Sequence, residues 1–305
     1  MRFWIILSVL SALVLASCSK KEPEPAPAEA AEAAEAEAAE IQAPAEEAEA
    51  EPADVEPLAN PWDSWGEPGL TVLASGKAPL RKLRRTFKKG RKATVELQVK
   101  GDADVKAMSL SYELSLQTVK VSKDGATASV ALRVEKPAAF KGVRGQYTAD
   151  ALGGITDFEI QPPSNPDPQV QAAIRNLARF LLPVLVAPLP EGEVGEGAQW
   201  SVFEAIEDGP ITIATRSIYE LTKLDGSKLA VSLTFEEAVQ KSAPGGPMKL
   251  LELNGAGSGT LSVDLGKIAP DRVQRDASRT QKYAQGDGGQ VFRMAIKTTT
   301  LLSSR

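Results

Sequence analysis

Ala93-Thr94-Val95-Glu96-Leu97-Gln98-Val99-Lys100 places an apolar side chain at every second position. Successive side chains of a strand point to opposite faces, so this stretch offers one face to a core and the other to water. The habit continues along the chain. Leu110, Tyr112, Leu114 and Leu116 alternate with Ser111, Glu113 and Ser115. Near Thr118 the apolar parity moves to Val119 and Val121, which predicts a bulge or bend. Lys123-Asp124-Gly125 is a hairpin signal, and Ala128, Val130, Leu132 and Val134 then return on one face.

The later half repeats the pattern. Ile211 to Leu224 leads into Asp225-Gly226-Ser227, and Leu229, Val231, Leu233 and Phe235 follow on one face. Leu261, Val263 and Leu265 mark another strand, and Phe292, Met294 and Ile296 mark the last. Val273 to Tyr283 also reads as a strand, but it is polar on both faces and suits an edge or a wet interior. Only Asp167 to Leu182 departs from this period. Val170, Ala173, Ile174, Leu177, Phe180 and Leu181 lie on one helical face, Asn165-Pro166-Asp167-Pro168 is a start signal, and Pro183 kinks or ends the helix. A lone apolar helix among strands needs a surface to lie on. The expected fold is mainly β: a curved antiparallel sheet, an open half-barrel of about ten or more strands, with one helix packed on it.

The globular domain is expected over 68–305, with two similar halves (about 80–165 and 190–302) around helix 167–182. Tyr112-Glu113-Leu114 precedes the Asp124-Gly125 turn, much as Tyr219-Glu220-Leu221 precedes Asp225-Gly226. Gly153-Gly154-Ile155-Thr156 resembles Gly257-Ser258-Gly259-Thr260 in the same way.

The N-terminus reads as an export signal over 1–17. Arg2 is followed by an apolar run from Phe3 to Leu15, broken only by Ser8 and Ser11. That run is shorter than the roughly 20 residues a membrane-spanning helix needs. Leu15-Ala16-Ser17-Cys18 closes it with the single cysteine of the 305-residue chain. These four residues resemble the lipobox of bacterial lipoproteins. The resemblance implies cleavage before Cys18, diacylglyceryl transfer to its thiol, and a protein held at the cell envelope by acyl chains. Ser19, where an inner-membrane lipoprotein of proteobacteria carries aspartate, implies the outer membrane if the host has one.

Residues 18–67 are expected to be a lipidated cysteine and a linker that does not pack. Glu22 to Glu67 holds 15 acids and no base. Its Glu/Ala/Pro composition has little to bury. The whole-chain net charge of −5 therefore hides a basic domain beyond Glu67. The reading of the linker is a spacer. Trp62 and Trp65, where it meets the domain, are read as pins onto the sheet.

The inventory of reactive groups is narrow. There is no histidine, which removes His-based triads and His-ligated zinc, and no thiol remains once Cys18 is acylated. Neither metal nor cofactor is expected, and the chain reads as a non-enzyme. Gly255-Ala256-Gly257-Ser258-Gly259 lacks the strand-to-helix setting of a dinucleotide site and reads as a loop or the start of a strand. Asp157 with Glu159, and Glu204 with Glu207 and Asp208, are the carboxylates a third reading, an envelope hydrolase, would need.

Two candidate binding sites remain. Arg81, Lys82, Arg84, Arg85, Lys88, Lys89, Arg91 and Lys92 crowd a short segment, which suits an anionic partner or a solvated strand edge. Nucleic acid fits the charge but not an exported protein. Leu177, Phe180, Leu181 and Leu185 on the helix could line an apolar pocket or fill the core.

Phe87-Lys88-Lys89-Gly90 and Gly195-Glu196-Gly197-Ala198-Gln199-Trp200 resemble segments of uncharacterised β-rich bacterial lipoproteins. The layout is also similar, more distantly, to lipoprotein-carrier and lipid-binding envelope proteins. That resemblance implies an open half-barrel holding acyl chains against its concave side. The leading expectation is thus a lipid-anchored, non-enzymatic envelope protein that binds an apolar or amphipathic ligand or an envelope partner. The alternative is a scaffold recognising a protein or anionic glycan through its basic surface.

Overall fold

Wherever the sequence alternates, the chain forms a strand. The elements are β1 (Gly69–Ala74), β2 (Arg81–Lys82), β3 (Lys92–Ala103), β4 (Lys106–Val121), β5 (Thr127–Lys136), β6 (Arg144–Asp150) and β7 (Ile155–Gln161). After the helix α1 (Pro168–Leu185) come β8 (Glu193–Val194), β9 (Gln199–Asp208), β10 (Ile211–Asp225), β11 (Lys228–Val239), β12 (Met248–Asp264), β13 (Arg272–Gln285) and β14 (Val291–Ser304). This computed structural model describes residues 63–305 except 104–105, 141, 163–167, 209–210, 240–247 and 286–290. The export signal, Cys18, Trp62 and nearly all of the linker lie outside the described residues, which fall within one unit, Asn60–Arg305.

Twelve strands make one antiparallel sheet in the order β1-β9-β10-β11-β12-β13-β14-β3-β4-β5-β6-β7. The last strand of the chain joins the two runs: Leu302 of β14 stands opposite Leu97 of β3, and Thr300 opposite Val99. The sheet does not close, so β1 and β7 are its edges. It is the open half-barrel that the alternation predicts, mainly β, with a single α-helix among the described residues. Tyr112 and Tyr219 both point into the core. The two glycine segments do not match, however: Gly153 sits in the turn between β6 and β7, and Gly257 lies in the middle of β12.

The concave face is the core. Val95, Leu97 and Val99 of β3, Leu114 and Leu116 of β4, and Val130, Leu132 and Val134 of β5 are buried. α1 adds Ile174, Leu177, Leu181, Val184 and Leu185 to the same core and contacts β7. Burying each such side chain contributes roughly 2 kcal/mol, far more than the helix gains from its own propensity. Pro183 does not end the helix; it occupies the last turn, and the helix stops at Leu185. The bulge expected near Thr118 is present as a register shift between Thr118 and Lys120. Thr118 and Val121 turn inward, while Val119 is 45% exposed.

One end of the half-barrel is capped by the chain between β1 and β3. Lys77 N–H donates to Glu196 O and Gly195 N–H to Ser75 O, and β2 pairs with β8. Further on, Arg85 N–H donates to Ala151 O and Thr86 N–H to Leu265 O. The cap therefore ties the β6–β7 turn to the end of β12, with Leu83 and Phe87 plugged into the core.

Candidate functional site

Inward positions of β11 to β14 fall into bands along the strands. Nearest the cap they are apolar: Val231, Leu233, Leu261, Val273 and Leu302 are buried. At the other end Ile213, Val239, Leu253 and Tyr283 form a small apolar cluster. Between them lies a charged belt. Its floor is β12, where Gly255, Gly257 and Gly259 occupy successive inward positions, opposite Glu237, Phe235 and Leu233 of β11. This corrects the reading of 255–259 as a loop or strand start, since these glycines are the centre of a 17-residue strand.

The missing side chains let residues of β11 and β13 meet across β12. A Cβ on Gly257 would come within 2.3 Å of both the Phe235 ring and Asp276 O. Over Gly255, Arg279 Nε and Nη2 donate to Glu237 Oε2 and Oε1 at 2.5 and 2.8 Å, a two-point ion pair. The Arg275 guanidinium stacks 4.3 Å from the centre of the Phe235 ring, and its Nη1 donates to Pro183 O of α1 at 3.2 Å. The planar fork of arginine suits both contacts.

Over the belt a cleft of about 60 Å³ stays open beneath α1. Phe180, Pro183 and Val184 roof it, Phe235 and Ala277 give apolar wall, and Glu237, Arg275, Arg279, Thr298 and Thr300 give polar wall. Burial lowers the Arg275 pKa, partly offset by Tyr219 and Glu237. Burial also works against Arg279, but the hydrogen bond and charge of Glu237 outweigh it and its pKa is raised. Glu204 of β9 is pushed up by burial and pulled back by Arg275. The cleft thus sets apolar surface directly beside fixed charge.

The helix residues singled out in the sequence divide. Leu177, Leu181 and Leu185 are fully buried core, and Phe180 alone of the four reaches the cleft. The eight bases divide as well. Arg85 is 3% exposed; its Nε and Nη2, like Tyr147 Oη, have no hydrogen-bond partner among the described residues. Arg81 donates to Gly226 O, Arg84 to Pro190 O and Glu191 O at 3.0 and 2.6 Å, and Arg91 to Gly266 O. These arginines tie the cap to the strand turns. Lys82, Lys88, Lys89 and Lys92 are exposed. The cluster is part structural clamp and part surface, a division that charge spacing alone does not reveal.

Of the carboxylates, Asp157 and Glu159 lie on the edge strand β7, with Glu159 accepting from Gln146 and Gln161 at 3.4 and 3.3 Å. The side chains of Glu207 and Asp208 lie outside those described. Trp65 pins the chain as expected: its ring meets Phe203 edge-on at 5.7 Å, and Arg216 stacks on it at 5.3 Å. The sequence did carry one signal for the belt. Val273 to Tyr283, polar on both faces, is no edge but an inner strand, and it supplies Arg275 and Arg279.

No protein-family model matches this chain, and no curated protein does either. Among solved structures it is similar to a DUF1329 family protein from Desulfovibrio piger, at 11% identity and a TM-score of 0.26, over 71% of this chain and 84% of that one.

Proposed function

We propose that the protein is a lipid-anchored, non-enzymatic component of the cell envelope that takes an amphipathic ligand into the cleft beneath α1. The observation that carries the reading is the juxtaposition in that cleft. Phe180, Val184 and Phe235 offer apolar contact within reach of the Arg275 and Arg279 guanidiniums. Ordinary ligand pockets start at roughly 300 Å³. A cleft of about 60 Å³ admits one end of such a ligand; taking in the rest requires the Phe180–Leu185 end of α1 to shift. The anchor rests on Leu15-Ala16-Ser17-Cys18. Acylation of Cys18 contributes about 0.8 kcal/mol per buried methylene, and several chains hold a protein on a bilayer.

Two experiments test this. Delipidated protein is titrated with a fluorescent fatty acid, with native mass spectrometry to detect co-purified lipid; saturable uptake supports the reading, and a closed interior with no uptake removes it. Separately, cells expressing Cys18→Ser are fractionated. The parent stays with membranes through a high-salt wash and the variant is released by it; equal retention of the two after the wash rejects the anchor.

A second reading, a scaffold that recognises an envelope partner protein, is favoured by β1. Its Gly69-Leu70-Thr71-Val72-Leu73-Ala74 is exposed throughout, pairs among the described residues only with β9, and carries no charge. Such an edge is a template for another strand. Crosslinking in envelopes with a photoreactive group at Leu73 distinguishes it: one defined partner supports the scaffold, and none removes it.

A further inference from the structure

The bulge in β4 has a consequence for the surface. By register, Lys92 of β3 stands opposite Gln117 of β4, and both are exposed. Two residues on, the bulge turns Val119 outward as well, 45% exposed at the rim of the capped end. Gly90 N–H donates to Thr118 O, and Thr118 N–H to Arg91 O, which fixes the Lys88–Lys89 turn beside it. Lys123 occupies the adjacent β4–β5 turn. Register and these hydrogen bonds put Val119 at one end of the sheet with the Lys88–Lys89 turn, Lys92, Lys120 and Lys123, and all five lysines are exposed.

The acids of this side do not neutralise these lysines. Asp124 turns back on its own hairpin, accepting from Ser122 Oγ at 2.6 Å and Ala126 N–H at 3.0 Å. Glu96 is paired with Arg305 at 2.8 Å, and Glu113 with Lys136 at 3.0 Å. None of the five lysines makes an ion pair among the described residues. The other side of the cap differs, because Glu191, Glu193 and Asp225 are exposed there and temper its lysines.

We infer that this corner of the domain docks on an anionic lipid surface, with the five lysines against the headgroups and Val119 inserted between them. A solvated basic face has no use for an exposed aliphatic side chain, and a soluble polyanion gains little from one. A bilayer interface gains from both kinds of group. The inference stands apart from the cleft and from acylation, since it concerns a different surface.

The test uses the chain from residue 18 onward with Cys18→Ser, so that no acyl group contributes. It is sedimented with phosphatidylglycerol-rich vesicles and with pure phosphatidylcholine vesicles. Binding is expected to the first only, and to weaken with salt. The triple variant K88Q/K89Q/K123Q loses on the order of 100-fold in partition. Val119→Ser loses a few-fold, while the control K77Q/K228Q changes little. All these positions are exposed, and unchanged melting shows the variants are folded. Equal binding to both vesicle types, or equal loss in the control, overturns the inference. So does capture of polyphosphate in place of vesicles.

Discussion

The two halves of the concave face follow one register and yet differ in kind. On β3 to β5 the inward residues Val95, Leu97, Val99, Leu114, Leu116, Val130 and Leu132 are apolar and buried in one core with α1. On β11 to β14 the same alternation brings in Glu237, Arg275, Arg279, Thr298 and Thr300 above a row of glycines, and a cleft stays open. A half-barrel needs both faces of this kind to do more than stand. One wall holds the helix by dispersion and burial. The other keeps charge inside by pairing it, at a cost that burial in the first wall offsets.

Five substitutions break or sharpen that contrast. The largest effect belongs to the apolar wall. Leu97→Ala removes a fully buried side chain and costs about 3 to 4 kcal/mol in urea unfolding. Its near neighbour across the seam, Thr300→Ala, costs under about 1 kcal/mol. Comparable losses at both would erase the distinction between wall and belt. Next, Arg279→Ala takes the cation from a Glu237 side chain that is 12% exposed, and costs about 3 kcal/mol. A loss below about 1 kcal/mol would mean that the pair is solvated and the belt is ordinary surface.

Smaller is Gly257→Ala, which sets a methyl against the Phe235 ring and the Asp276 carbonyl. It costs about 2 kcal/mol and also displaces Phe235 from Arg275, visible as a change in ligand uptake. A neutral result would show that the glycine row makes no room for the belt.

The smallest effect lies at the capped end. The Asp264 carboxylate accepts from Gly266 N–H at 2.9 Å and from Ser227 Oγ at 2.9 Å, and these, with Lys267 and Arg91, hold its pKa below the usual carboxylate value. A depressed acid stabilises the fold above its unfolded pKa of about 4, and that contribution is lost as pH falls through the folded value. Melting temperature is therefore expected to drop more steeply with acid in the parent than in Asp264→Asn. Parallel curves would deny Asp264 this role.

The apolar wall was legible because alternation encodes it directly: each residue of Val95, Leu97 and Val99 reports its own face. The belt was legible only in part. A strand polar on both faces left an edge and a wet interior both open, and Arg275 and Arg279 lie in it. What alternation cannot show is that Gly255, Gly257 and Gly259 are a floor. Glycine has no side chain to report a face, and a glycine-rich run resembles a loop until its neighbours are known. The basic cluster was legible only as a mixture, for a different reason. Charge counts do not separate a guanidinium that clamps carbonyls, as Arg84 does, from an ammonium in water, as at Lys88. Length of side chain and donor geometry decide that, and both depend on where the cap crosses the turns.

The most direct test of the belt as a binding site is fluorescent fatty acid uptake by the delipidated parent and by Thr298→Trp, which fills the cleft from its polar wall while leaving the apolar wall intact. Saturable uptake by the parent, abolished in the variant at unchanged stability, is the expected result. Uptake equal in both proteins, or absent from the parent, would contradict it.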